Sequence, residues 1–131
     1  MYEEFTKYIE VLESRTEFGK ADISKDSLFP NITYDEDIHD FLGELHQLPE
    51  RNGELFKCYE YVEEYQAKVG VKDIREYDAE MLDAFTIFNF MTMVDAEERF
   101  YDGLILGCLN NGIFLKWIKR LKEIDKLSKQ A

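Results

Sequence analysis

Apolar residues recur at helical spacing along most of this chain. Tyr2, Phe5, Ile9 and Leu12 share one face, with Glu3, Glu4, Lys7 and Glu10 off it, predicting a helix over 2–14. The period is lost over 15–33, which contains Gly19 and Pro30. This stretch is expected to be a long loop or a short irregular hairpin, with Phe18, Ile23, Leu28 and Phe29 folded back onto the core. A helix follows over 35–47, with Ile38, Phe41, Leu42 and Leu45 as its buried stripe. The Thr33/Asp35 cluster starts it and Pro49 is expected to stop it. A third helix, 53–69, turns Leu55, Cys58, Tyr59, Val62 and Tyr65 inward and stops at Gly70.

A fourth helix is expected over 78–94, with Asp78 as its N-cap. Its run MLDAFTIFNFMTMV is apolar nearly all round, the pattern of a helix surrounded by others, so Phe85, Phe88 and Met91 are assigned to the core. The last helix, 113–126, collects Phe114, Trp117, Ile118, Leu121 and Ile124 on one side and Lys116, Lys119, Lys122 and Lys126 elsewhere. Its stripe is expected to dock on the domain, and its positive end suits the helix dipole. Together these patterns predict an all-α fold, one domain over 1–131 built of five to six helices. No stretch alternates long enough to require a sheet, although 16–33 has room for two short strands.

The most unusual composition lies in 97–121, EERFYDGLILGCLNNGIFLKWIKRL. A helix over 96–111 would place Gly103 and Gly107 on one face, each at a cost of about 1 kcal/mol relative to Ala. Either another helix crosses there at short range, or a ligand lies against bare backbone; the packing explanation is preferred. Asn110-Asn111-Gly112 then ends the helix. Within it, Arg99 is the only basic residue between Arg75 and Lys116, set among Asp95, Glu97, Glu98 and Asp102. Arg99 and Asp102, three apart, are expected to pair and lock the helix entry. The competing functional assignment makes Glu98, Arg99 and Asp102 the floor of a pocket beside Gly103 and Gly107, with Arg99 holding an anion and a carboxylate acting as base.

The run Glu98-Arg99-Phe100-x-Asp102-Gly103, followed by Gly112-Ile113, Leu115 and Lys119-Arg120-Leu121, resembles the C-terminal signature of a family of small bacterial and phage proteins of unknown function. Tyr101 stands where that signature has Cys, and Asn110-Asn111 where it has an acidic residue. The resemblance implies a shared fold and brings no activity with it.

Charge sharpens the functional picture. Residues 113–131 carry six Lys/Arg against Glu123 and Asp125, and 103–112 carry no charge, so of the total of −12 a net −16 falls on 1–102. Direct nucleic-acid binding through such a body is disfavoured, because phosphate contacts need Lys and Arg. A basic protein surface is the expected partner. Tyr61 and Tyr65, interleaved with Glu64 and its acidic neighbours, are either half-buried packing residues or an aromatic, acidic contact surface. Asp35, His39 and Glu50 could approach a metal but lack a convergent further ligand, and His39 and His46 are assigned to a solvated face. Cys58 and Cys108 are isolated and expected reduced, in a cytoplasmic protein without a membrane span. No cofactor, metal or catalytic set is expected. The preferred function is a non-catalytic acidic interaction protein, such as a phage or mobile-element accessory protein that imitates nucleic acid. The alternative is a small-molecule-binding protein or enzyme at the pocket named above.

Overall fold

The computed structural model describes residues 2–15, 18–22, 31–52, 57–70, 73–98 and 103–130. Over these, the chain folds as an all-α assembly: α1 (Glu3–Thr6), α2 (Ile9–Glu13), α3 (Glu36–Asn52), α4 (Lys57–Val69), α5 (Ala84–Glu97), α6 (Leu104–Asn110) and α7 (Ile113–Gln130). A two-stranded antiparallel ribbon, β1 (Gly19–Asp22) with β2 (Asn31–Tyr34), sits between α2 and α3, pairing Gly19 with Tyr34 and Asp22 with Asn31. Gly19 is required there, because a Cβ would lie 2.8 Å from the Thr33 carbonyl oxygen and 3.0 Å from the Tyr34 ring. Of the apolar residues expected to return to the core from this stretch, Phe18 is buried; Ile23, Leu28 and Phe29 lie outside the described residues.

Several boundaries differ from the expected ones. The first helix is broken at Lys7–Tyr8, where Tyr8 N–H bonds the Phe5 carbonyl at 3.0 Å, yet Phe5, Tyr8, Ile9 and Leu12 remain on one buried side. The helix expected to stop before Pro49 runs through it to Asn52, with Leu45 and Leu48 both buried. Tertiary packing outweighs the hydrogen bond that proline removes.

The start of α5 is the largest correction. Asp78 does not begin the long helix; it caps a 3-10 turn over Ala79–Met81, accepting from Glu80 N–H at 3.1 Å. Asp83 is the true N-cap, accepting from Thr86 N–H at 2.8 Å. Before them Asp73 caps another 3-10 turn, Ile74–Glu76, through Arg75 N–H. Three aspartates five residues apart thus break the chain into short turns ahead of α5. Started at Ala84, α5 buries Ile87, Phe90, Met91 and Val94, and Phe85 points outward at 57% exposure instead of joining the core. It lies two residues before Ile87, about 200° round the helix. Phe88 is half-buried against the core.

α7 keeps the expected stripe, with Phe114, Trp117, Ile118 and Leu121 fully buried and Ile124 partly so. Rings form one continuous series through the protein: Tyr61, Tyr65, Tyr77, Phe90, Trp117, Phe114, Phe41 and Phe5 are in successive contact at centroid distances of 5.3–6.3 Å. Trp117 lies at its middle, and its buried indole N–H has no hydrogen-bond partner among the described residues, so ring packing dominates what holds it there. Trp117→Ala should cost about 3–5 kcal/mol of unfolding free energy, read as a lower urea midpoint. Trp117→Phe should cost much less, because it removes an unsatisfied donor along with part of the ring. Native emission should be blue-shifted and poorly quenched by acrylamide.

Candidate functional sites

The junction between α5 and α6 is organised by Glu98. Its Oε1 accepts from Gly103 N–H at 2.9 Å and its Oε2 from Ile105 N–H at 2.8 Å, so both carboxylate oxygens cap α6. Gly103 is the N-cap of α6 with φ +93°, a left-handed conformation that glycine adopts without steric cost. It is therefore not a helix-interior residue, and it forms no glycine face with Gly107. A Cβ on Gly107 would meet nothing within 4 Å among the described residues, which argues against the close-crossing explanation for that glycine. Gly112, at φ +75° between α6 and α7, is the left-handed cap expected from Asn110-Asn111-Gly112. Arg99 and Asp102, and with them the expected ion pair, lie outside the described residues.

Other groups share the field of Glu98. Burial, reinforced by Glu98, pushes the Tyr34 hydroxyl up to about 12. Burial also pushes the Cys108 thiol up to about 11, with Arg75 opposing and Asp73 and Glu98 adding to the rise. Cys108 is thus a buried neutral thiol rather than an activated nucleophile. Arg75 is committed to Asp73, through Nε at 3.0 Å and Nη2 at 2.8 Å.

The groups offered as metal donors go separate ways. Asp35 and Asp37 (Oδ2 at 2.6 Å) both bind Arg15, joining the end of α2 to the start of α3. His39 meets the Tyr34 ring edge-on, and His46 Nδ1 lies 2.6 Å from Asp95 Oδ1, tying α3 to α5. Glu50 has no described side chain. Among the described residues, no group of three or more His, Cys, Asp or Glu could hold a metal ion, and no helix is long and apolar enough to cross a membrane.

Tyr61, Glu64 and Tyr65 do come together as a surface. Tyr61 and Tyr65 stack along α4 with rings 19° apart, half-buried, while Glu60, Glu63 and Glu64 are exposed beside them. The Tyr61 hydroxyl is 2.5 Å from Thr86 Oγ1, and its ring meets Phe85 edge-on at 5.0 Å. Burial, then Tyr61 and Asp83, raise the Tyr65 hydroxyl above its usual range. Phe85 extends this face, with the 79% exposed Met81 four residues before it; sequence periodicity missed Phe85 here because it assigned that residue to the core. Five carboxylates and one arginine occupy 73–83, so its rim is strongly acidic.

Fold and surface together define a small, acidic, all-α protein with an aromatic outer face. The chain belongs to a family of unknown function (DUF6508), whose model matches residues 3–126. No curated protein and no solved structure matches it.

Removing the Glu98 cap should be measurable. Glu98→Ala is expected to lose ~1–3 kcal/mol in urea denaturation, and Glu98→Gln less, since its amide retains one acceptor oxygen. The Cys108 thiol should resist thiol reagents at pH 8 until the chain unfolds. The unfolded thiol ionises near 9.0 and the folded one near 11, so the folded state holds the proton more tightly and stability falls as pH rises across that window. Melting curves of wild type and Cys108→Ala should run parallel below this window, with wild type losing ground within it.

Proposed function

We propose that this protein is a non-catalytic interaction protein that binds a basic partner surface through the face formed by α4, the 73–83 segment and the first turn of α5. The observation that carries this is Phe85, more than half exposed yet held edge-on against Tyr61, with exposed Glu80 and Asp83 in the segment that leads into it. An apolar centre with an acidic rim suits a partner presenting an aliphatic side chain among Lys or Arg. Cations gain both from the rim and from the ring faces of Tyr61 and Phe85. The net −16 on 1–102 would steer such a partner in from a distance.

The small size and the acidic body extend the proposal to a phage or mobile-element accessory protein of the cytoplasm, acting on a nucleic-acid-binding partner by offering carboxylates in place of phosphates. The alternative, a ligand site at Glu98, Arg99, Asp102, Gly103 and Gly107, is less well supported. Both Glu98 oxygens are used on backbone N–H groups, and Gly103 and Gly107 do not form the shared helix face on which that pocket was drawn.

Affinity capture from the source cell at low salt, with wild type beside Phe85→Ser, tests the proposal. A basic protein should be retained by wild type, released as salt rises, and retained roughly tenfold less by the variant. Phe85 is exposed, so the variant should keep its melting temperature. Salt-sensitive capture that ignores Phe85→Ser, or no such capture at all, sinks the assignment.

A further inference from the structure

We infer that residues 77–82 form a latched strap, which lifts off α5 and α7 as one unit while the helices stay folded. Two side chains of α7 are its latch. Lys116 Nζ donates to the Tyr77 carbonyl at 3.0 Å, and Arg120 Nε donates to the Leu82 carbonyl at 3.0 Å. They hold the first and last residues of the strap from positions one helical turn apart.

Within the strap the main chain bonds to itself. Met81 N–H bonds the Asp78 carbonyl and Leu82 N–H the Ala79 carbonyl, both at 3.1 Å. Glu80 N–H bonds Asp78 Oδ1, also at 3.1 Å. These three bonds travel with the strap when it lifts. The elements on either side end independently of it: Asp73 caps the turn before through Arg75 N–H, and Asp83 caps α5 through Thr86 N–H. Lifting therefore breaks no helical ladder. It releases the two latch bonds and the contacts of Tyr77, Ala79 and Leu82, which are buried while Asp78, Glu80 and Met81 are exposed. Three apolar side chains are few against the whole core, so this opening lies below global unfolding in free energy.

Charge works against closure. The strap carries Asp78 and Glu80 and no cation. Its Tyr77 ring lies 5.3 Å from that of Tyr65 on α4, a helix with Glu60, Glu63 and Glu64 exposed. The latch cations offset this repulsion. In the lifted state Tyr77 leaves its stacked place on Phe90, 5.6 Å away, and Glu80 moves with it. The strap thus controls whether the acidic segment ahead of Phe85 is in place. The lifting itself does not depend on that face binding a partner.

Native-state hydrogen exchange of the full chain, read by NMR at single amides, tests the inference. The reporter is Leu82 N–H, and Phe90 in α5 and Leu121 in α7 report global unfolding. In wild type Leu82 should exchange at least about tenfold faster than those two, relative to their intrinsic rates. Arg120→Met and Lys116→Met should each speed Leu82 exchange by roughly another tenfold. Lys116 bonds Tyr77 rather than Leu82, so its effect there shows that the strap moves as one piece. Both variants make the same prediction, and circular dichroism melts establish which of them fold. Phe41→Leu alters a buried ring whose contacts are Phe5, Tyr8 and Phe114, none of them in the strap. It should speed Phe90 and Leu121 and leave Leu82 unchanged. A Leu82 amide as slow as Phe90 in wild type, one that accelerates with Phe41→Leu, or one indifferent to the latch variants would overturn the inference.

Discussion

Burial of Trp117 between α5 and α7 governs where the other elements can sit. The indole touches Phe90 on one side and Phe114 on the other, and each of these rings passes contact onward, to Tyr77 and Tyr65 in one direction and to Phe41 in the other. Aromatic pairs of this geometry add about 0.5–1.5 kcal/mol each beyond the area they bury. More importantly, they are directional, so fixing one ring orients the next. At one end the series emerges at Tyr61 and Phe85. The exposed face is therefore held by the same contacts that make the core, and under the proposed function a partner would meet rings whose orientation needs little further ordering.

How much of this was legible in the sequence depended on whether a segment had a single solution. The stripe of α7 could be read residue by residue, because Phe114, Trp117, Ile118 and Leu121 repeat at helical spacing against lysines and leave one amphipathic answer. The stretch 78–94 had no such contrast. With apolar residues all round, periodicity could not say which face was buried, and Asp78 and Asp83 are both good caps. The choice of Asp83 follows from packing Ile87, Phe90, Met91 and Val94 inward, a tertiary preference that local spacing does not contain. The glycines of 103–112 misled for a related reason. Gly103 resembled a helix interior because local spacing does not show its cap, the Glu98 carboxylate, which reaches forward to N–H groups five and seven residues on. Of the candidate binding residues, Tyr61, Glu64 and Tyr65 were visible in the sequence, and Phe85 and Met81 were hidden by their own hydrophobicity.

Charge has two separate duties in this protein, and α7 shows how they are divided. Each 3-10 turn ahead of α5 ends at a residue, Tyr77 or Leu82, that precedes an aspartate cap. The carbonyls of those two residues are taken by Lys116 and Arg120, one helical turn apart on α7. A cation bound to a part-buried carbonyl is worth more than the same cation in a surface ion pair, which contributes little. These two side chains therefore clamp the irregular 73–83 segment against the core and give it a defined shape without making it a helix.

That shape is the reason an acidic surface with an apolar centre exists here at all. Had the chain continued as one helix from Asp78, the same residues would have spread around a cylinder, and Phe85 would have lacked its fixed partner in Tyr61. Repeated capping by Asp73, Asp78 and Asp83 instead keeps the carboxylates on the outside, where each begins a turn, and brings Met81 and Phe85 out between them. The aspartates thus shape the backbone and supply the rim. Neutralising Asp83 would consequently remove a helix cap and part of the acidic rim together, whereas neutralising Glu64 would change surface charge alone.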